Sequence, residues 1–144
     1  MRKQLKSMLV LILCLSVALS DTQVQAKVYK GKWENIAGKK TISWQYDNRT
    51  KRLTISGRGK MLDGHYNDEA TPQGPEWKRF QDFIRELVIS DGVTSVGDEM
   101  LDSAKNLSSV KLANSVREIG SCAFGDSYGA KKLKKINLPP YLEK

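Results

Sequence analysis

Residues 84–89 read IRELVI, and this stretch decides the fold because its apolar spacing is repeated. Apolar side chains stand at the first, fourth and sixth positions. Residues 107–112 (LSSVKL) and 133–138 (LKKINL) have apolar side chains at the same three positions. This agreement indicates an internal repeat with a period of 23 residues and then of 26 residues.

The period and the L-x-x-L-x-L spacing are typical of leucine-rich repeats, in which each unit contributes a short strand. One unit cannot bury its apolar side alone, so neighbouring units must stack around a continuous core. We therefore predict a β-rich solenoid of short parallel strands with low α content. It contains about two and a half repeats, at residues 84–106, 107–132 and, as a partial unit, 133–144. The predicted core rows are Ile84/Leu107/Leu133, Leu87/Val110/Ile136, Ile89/Leu112/Leu138, Val93/Val116/Leu142, Val96/Ile119 and Leu101/Phe124.

Residues 27–83 predict an N-terminal β-hairpin cap that packs with the repeats as one domain. Residues 42–46 and 53–57 alternate apolar with polar side chains and are separated by a polar turn, which is typical of a hairpin of half-buried strands. Pro75 begins a short stretch with helical spacing that contains Trp77. The end of a repeat stack needs an atypical unit to cover its apolar face, and the hairpin with Trp77 suits that role.

Residues 1–26 have the pattern of a secretory signal peptide, with a basic start, a short apolar centre and the small residue Ala26 at the exit. The apolar centre is shorter than the roughly 20 residues that span a bilayer, so we predict no transmembrane span. We expect cleavage after Ala26 and a secreted or cell-surface protein. Cleavage would lower the formal net charge from +8 to +6. Cys122 is then the one remaining cysteine, and we expect a small buried core residue, with a catalytic or cross-linking thiol as the alternative.

The repeats resemble a known family. Residues 87–97 (LVISDGVTSVG) and 115–124 (SVREIGSCAF) resemble the BspA-like leucine-rich repeats of bacterial secreted and cell-surface proteins. Residues 53–61 (LTISGRGKM) resemble the module with which such proteins often begin. The first unit departs from the family pattern, because Met100 and Leu101 stand where Ala-Phe is usual. The resemblance implies adhesion to host or matrix proteins, or to other cells.

The strand pattern places a candidate binding face on one side of the repeats. In L-x-x-L-x-L, the residues on either side of the central apolar position point away from the core. They would form two exposed rows of the kind that repeat proteins use to bind partners, the alternative being a solvated sheet face. The candidate residues are Glu86, Val88, Ser109, Lys111, Lys135 and Asn137.

These patterns together predict a secreted or surface-exposed leucine-rich-repeat protein that mediates macromolecular binding or adhesion. The partner would be a protein or cell-surface macromolecule, of the host or its matrix, or an anionic glycan attracted by the basic charge. Export argues against nucleic acid. The alternative is a truncated N-terminal fragment of a larger surface protein without independent function, because residue 144 falls where the third unit would continue. An uncapped third unit would expose a strand edge, so self-association through it is a further expectation.

The sequence contains little that points to a catalytic site. A histidine and several carboxylates meet in one polar loop, but the loop lacks the alternation of a calcium site and a second histidine. We therefore predict no metal, no cofactor and no catalytic residues, and a metal-dependent enzyme is the least favoured alternative. Gly57 and Gly59 match the first two glycines of the dinucleotide-binding motif G-x-G-x-x-G, but the third glycine is missing. We interpret them as the end of a strand, where the backbone needs conformational freedom. The loop residues are Asp63, His65, Asp68 and Glu69.

Overall fold

The structure, a computed structural model, describes residues 25–64, 74–125 and 131–143. Residues 1–24 of the predicted signal peptide lie outside the described residues, as do His65, Asp68 and Glu69 of the polar loop. Within the described ranges the chain forms β-strands and a 3₁₀ helix at Glu76–Phe83. The strands are β1 (Val28–Trp33), β2 (Ile42–Asp47), β3 (Arg52–Gly57), β4 (Gly59–Lys60), β5 (Glu86–Ile89), β6 (Val93–Val96), β7 (Ser109–Leu112), β8 (Glu118–Ile119) and β9 (Lys135–Asn137).

The larger of two sheets joins the cap to the repeats. Its strand order is β1-β2-β3-β5-β7-β9, in which β1, β2 and β3 pair antiparallel and the following neighbours pair parallel. The antiparallel pairing of β2 with β3 across a turn confirms the predicted hairpin. Because β3 pairs in parallel with β5, the hairpin continues directly into the repeat strands.

A smaller parallel sheet has the order β4-β6-β8. Each of the first two repeats contributes one strand to each sheet, β5 and β6 from the first and β7 and β8 from the second. Main-chain hydrogen bonds carry this ladder into the third unit: Arg117 N donates to Thr94 O (2.9 Å), and Glu143 N donates to Arg117 O (2.7 Å). The repeat inferred from apolar spacing therefore has a matching structural period.

The core combines the apolar rows of the repeats with inward side chains of the cap. In the parallel register Leu87 lies beside Val110, and Ile89 lies beside Leu112. All four side chains are at most 4% exposed, which confirms these row members as core. Burying a side chain of this size stabilises the fold by about 1.5–3 kcal/mol.

The third members of two rows are not buried. Ile136 is 40% exposed and Leu138 is 59% exposed, so the prediction of both as core residues was wrong. Within the described ranges β9 pairs with β7 on one side and with no strand on the other. Leu133 and Leu142 are partly buried against the core. Apolar spacing sets the direction of a side chain, but its burial needs a neighbouring layer.

An aromatic cluster fills the cap. Trp77, on the 3₁₀ helix, is fully buried and meets Trp33 and Trp44 edge to face, with ring centroids 5.7 and 6.1 Å apart. Phe80 stacks on Tyr46 with a centroid distance of 4.6 Å. Such offset and edge-to-face pairs stabilise beyond their buried area. The cluster anchors the 3₁₀ helix to the hairpin, as the helical spacing around Trp77 predicts.

Strand β1 was not predicted from the sequence. Its core-side positions are Tyr29, Gly31 and Trp33, and the glycine interrupts the apolar alternation that marks a half-buried strand. The register places Gly31 opposite Trp44 of β2. A Cβ at residue 31 would overlap the indole of Trp44, so only glycine lets the ring occupy that space. Gly31 therefore makes β1 hard to recognise in the sequence, and the packing of Trp44 against β1 requires that same glycine.

Positive φ angles mark two turns, one predicted correctly and one not. Gly57 and Gly59 have φ of +125° and +93°, which confirms a strand end that needs backbone freedom. Cys122 has φ of +52° and is exposed, so its prediction as a buried residue was wrong. Its neighbour Ala123, at 2% exposure, takes the core position instead. Apolar neighbours in sequence do not reveal which residue of a turn points inward.

Candidate binding face

The six candidate residues lie side by side on one face of the larger sheet, here called the outer face. The parallel register of β5, β7 and β9 aligns them in two rows across the strands. Leu87 and Val110, their neighbours along the strands, are buried, so the rows point away from the core. The rows are Glu86–Ser109–Lys135 and Val88–Lys111–Asn137.

Both rows continue across the cap, which sequence reasoning missed. The registers of β1, β2 and β3 add two outer-face positions from each strand. The period-two alternation that predicts the hairpin also marks these positions, but their alignment with the repeats depends on the long-range pairing of β3 with β5. The outer face thus extends over six strands, about 24 Å at the usual strand spacing. The added positions are Val28 and Lys30 on β1, Asp47 and Gln45 on β2, and Arg52 and Thr54 on β3.

An ion-pair network occupies the centre of the outer face. Glu86 accepts from Arg52 Nε at 2.6 Å and pairs with Lys111 Nζ at 2.7 Å, so three neighbouring strands are bridged by one carboxylate. The hydrogen bond from Lys111, and after it that from Arg52, hold the pKa of Glu86 below its usual value. Glu86 is therefore held as a carboxylate by the face itself. Lys111, whose side chain is 60% exposed, remains accessible to a partner.

Asn137 has a structural role at the edge of the same face. Its side-chain oxygen accepts from Leu112 N at 2.9 Å, and its side-chain nitrogen donates to Leu112 O at 2.8 Å. These two hydrogen bonds clamp β9 to the end of β7. A partner on the outer face would therefore meet the Asn137 side chain with its amide already engaged.

A polar depression of about 350 Å³ lies at the cap end of the outer face. Lys30 and Lys32 stand at its rim, and Lys32 Nζ donates to Ser43 Oγ at 2.8 Å. The hydroxyls of Thr54 and Ser56 also line it. Ammonium and hydroxyl groups in one shallow site suit an anionic or strongly polar group of an extended ligand. The depression therefore adds a polar contact zone to the outer face.

Ionised side chains give the outer face a positive balance. Of its two described carboxylates, Glu86 is paired within the sheet, and Asp47 accepts hydrogen bonds from the main chain of the following turn. The first of these, from Arg49 N at 2.8 Å, lowers the pKa of Asp47. Both carboxylates are thus engaged by groups of the protein itself, whereas exposed basic side chains lie at both ends of the face. The basic residues are Lys30, Lys32, Arg52, Lys111 and Lys135.

A second depression, of about 550 Å³, lies beside the smaller sheet, and three of the carboxylates that line it, those of Asp63, Asp98 and Glu118, form contacts within the fold. Asp63 Oδ1 accepts from Asp98 N, and Asp98 Oδ1 accepts from Ser121 N, each at 2.8 Å. Lys60 Nζ binds both carboxylate oxygens of Glu118 at 2.5 and 2.7 Å. Among the described residues, no group of three or more histidines, cysteines or acids is placed to hold a metal ion. These contacts link the cap to the first and second repeats, and the two repeats to each other.

The polar loop proposed as an alternative site is represented among the described residues by Asp63, whose carboxylate holds the turn at Asp98. His65, Asp68 and Glu69 lie outside the described ranges, so their grouping stays a prediction.

Among the described residues, no helix has both the length and the apolar composition that a membrane span needs.

Comparison with known proteins bears on the repeat class. The chain is similar to a leucine-rich repeat protein from Eubacterium ventriosum of known crystal structure, with 30% sequence identity and a TM-score of 0.53. The match covers 74% of this chain, which spans 28% of the length of that protein. No protein-family model matches the sequence, and no curated protein matches it. The joint similarity in sequence and structure supports a leucine-rich-repeat fold, β-rich and with parallel strands, for this chain.

Proposed function

We propose that this chain is a secreted or surface-exposed, BspA-like leucine-rich-repeat protein that binds another macromolecule through its outer face. The observation that carries the proposal is the continuity of that face: two rows of outward side chains run from β1 to β9 without a break in register. The similarity to a leucine-rich repeat protein supports a binding fold, because repeat proteins use such extended faces for partners. The proposal includes export by residues 1–26 and stacking of the repeats as a solenoid.

The chemistry of the outer face favours a partner with acidic groups around an apolar contact. Val88 lies near the middle of its row and is half-buried, between Thr54 and Lys111 on the neighbouring strands. Lys30 at one end and Lys135 at the other present positive charge. A host or matrix protein with an acidic surface fits this pattern, and adhesion is the activity that follows. An anionic glycan would use the lysines without needing the apolar centre.

The test is a pair of substitutions at half-buried strand positions of the same repeat. Val88→Arg places a bulky side chain at the centre of the outer face, whereas Thr94→Arg makes the same kind of change on the smaller sheet. The full chain and both variants are passed over immobilised matrix proteins and over heparin. Val88→Arg is expected to weaken binding to a matrix protein by about tenfold or more, because it replaces the apolar contact, and Thr94→Arg to leave that binding within about twofold. Binding to heparin, which uses the lysines alone, should not fall in either variant.

Equal losses in the two variants, or none in either, would contradict the assignment of binding to the outer face. Raising the salt concentration separates the two partner classes. Binding to a polyanion should fall steeply with salt, whereas contact around Val88 should keep most of its affinity.

A further inference from the structure

Basic side chains are aligned at the end of the larger sheet where its parallel strands begin. Main-chain hydrogen bonds bring the residues that directly precede β3, β5, β7 and β9 into one line. Arg85 N donates to Lys51 O at 2.8 Å, and Ser108 N donates to Arg85 O at 2.9 Å. Lys134 N then donates to Ser108 O at 3.0 Å. These four residues, here called the entry row, extend over about 14 Å at the usual strand spacing.

The charges of the entry row are available to a partner. Arg85 and Lys134 are exposed, and neither forms an ion pair with a described residue. Glu86, which follows Arg85, is already paired with basic groups of the neighbouring strands, so it does not neutralise the row. Asp82 is an exposed acid close to Arg85 in sequence and offsets part of the charge. The row therefore keeps a positive balance.

The opposite end of the same strands has no such balance. Arg58, Asp91 and Asn114 are exposed within two residues of the ends of β3, β5 and β7. One is basic, one is acidic and one is neutral, so their charges cancel. Positive charge is thus concentrated at the end where the strands begin, and an anionic ligand would be drawn there.

An exposed aromatic ring lies beside the entry row. Phe83, the last residue of the 3₁₀ helix, is 58% exposed, and Lys51 Nζ lies 5.8 Å from the centre of its ring. The backbone on both sides of Phe83 is held, because Asp82 O accepts from Asn106 Nδ2 at 2.6 Å and Ile84 is fully buried. A ligand that packs on this ring therefore has little chain entropy to remove.

We propose that the entry row and Phe83 bind a linear sulfated glycan that lies across the strands. Sulfate groups along the chain would pair with Lys51, Arg85 and Lys134, and the C–H face of one sugar ring would pack on Phe83. Lys51 and Arg85 precede adjacent strands, which favours a densely charged chain. Polyphosphate has the charge but no ring to pack on Phe83. The inference goes beyond the outer-face function, because it assigns a glycan to residues outside the two outer-face rows.

The first arm of the test is titration calorimetry of the full chain with a heparin oligosaccharide. The double variant Lys51→Glu, Arg85→Glu reverses two charges beside Phe83 and should weaken binding by about tenfold or more. The control Lys39→Glu, Arg58→Glu makes the same change in net charge at exposed positions off the row, and should cost about threefold or less. Equal losses would mean that heparin responds to net charge alone, which would overturn the proposal. So would a wild type that does not bind heparin.

A single variant gives an independent result if the double variant unfolds below the wild-type temperature. Lys134→Glu changes an exposed side chain at the far end of the row and should weaken heparin binding by about threefold or more. Unchanged heparin affinity in a folded Lys134→Glu would overturn the proposal that the glycan lies across the strands.

The second arm tests the ring and compares heparin with polyphosphate. Phe83→Ser should weaken heparin binding by about threefold or more and leave polyphosphate binding unchanged, because only the glycan packs on the ring. Unchanged binding of heparin would mean that charge alone is recognised. Equal losses for the two polymers would mean that the ring does not distinguish a glycan. Either of these two results would overturn the assignment to a glycan.

The third arm separates the entry row from the outer face. Lys30→Glu, Lys135→Glu reverses two charges at the ends of the outer face. Loss of heparin binding in this variant, with none in Lys51→Glu, Arg85→Glu, would assign the glycan to the outer face and overturn the proposal. Binding to matrix proteins is measured separately through Val88→Arg. Failure of that binding would overturn the outer-face function and leave the heparin result unaffected.

Discussion

The first and third repeats carry the same apolar spacing but differ in what lies beside them. β5 of the first repeat has β3 of the cap on one side and β7 on the other, and its Leu87 is 1% exposed. β9 of the third repeat has β7 on one side alone among the described residues, and its Ile136 is 40% exposed. The difference teaches that spacing decides which side chains point inward, whereas a neighbouring strand supplies their burial.

The largest expected effect comes from truncating these two equivalent positions. Leu87→Ala removes a fully buried side chain and should lower the free energy of unfolding by about 2–5 kcal/mol. Ile136→Ala removes a side chain that is already partly in water, so its cost should stay near or below about 1 kcal/mol. Urea unfolding followed by tryptophan fluorescence measures both. Equal losses of stability would mean that Ile136 is buried to the same degree as Leu87, which would contradict the difference between the two repeats.

The same contrast explains which parts of the fold were predictable. The apolar rows and the β2–β3 hairpin follow from local periodicity, which each strand carries in its own residues. β1 was missed because Gly31, which makes room for Trp44, breaks the alternation. Cys122 was misplaced because the inward residue of its turn depends on a left-handed backbone that neighbouring apolar residues do not reveal. Local patterns thus predict direction, and long-range packing decides the exceptions.

The candidate face was likewise predictable only where it depends on alternation along a single strand. Alternation along a strand places Val88 and Lys111 on the outward side, and the parallel register brings them together. The pairing of β3 with β5 joins residues far apart in sequence, so neither the extension of the rows into the cap nor the Arg52–Glu86 ion pair could be inferred from spacing. The clamp that Asn137 forms on Leu112 depends on one side-chain conformation, for which the sequence carries no periodic signal.

A smaller effect should distinguish a buried ion pair between the cap and the first repeat from an exposed ion pair between the cap and the second repeat. Lys78, on the 3₁₀ helix, has a side chain 1% exposed and pairs with Asp102 at 3.2 Å. Lys60 and Glu118 also pair, but their side chains are 44% and 43% exposed. Asp102→Ala should cost about 1–3 kcal/mol of the free energy of unfolding, because it removes a partner from a buried ammonium group. Glu118→Ala should cost about 0.5 kcal/mol or less, because solvent screens the pair.

Both variants are compared by urea unfolding at low and at high salt. The Glu118→Ala difference should shrink in high salt, while most of the Asp102→Ala difference persists. A larger cost for Glu118→Ala than for Asp102→Ala would show that burial does not decide how much these two ion pairs between cap and repeats contribute to stability.

The smallest expected effect concerns the centre of the outer face, where cap and repeats meet through Glu86. Hydrogen bonds from Lys111 and then Arg52 hold the pKa of Glu86 below its ordinary value of 4.5. A depressed folded-state pKa means that the unfolded chain takes up the proton first as the pH falls. The contribution of Glu86 is therefore complete above about pH 4.5 and is lost as the pH falls through the folded-state pKa. Glu86→Gln should reduce the acid-side decline of the urea midpoint between neutral pH and pH 3. The pKa of Asp47 is also lowered, so part of the acid-side decline should remain in the variant. A pH dependence of the urea midpoint identical to that of the wild type would show that the ion pairs of Glu86 do not stabilise the contact between cap and repeat.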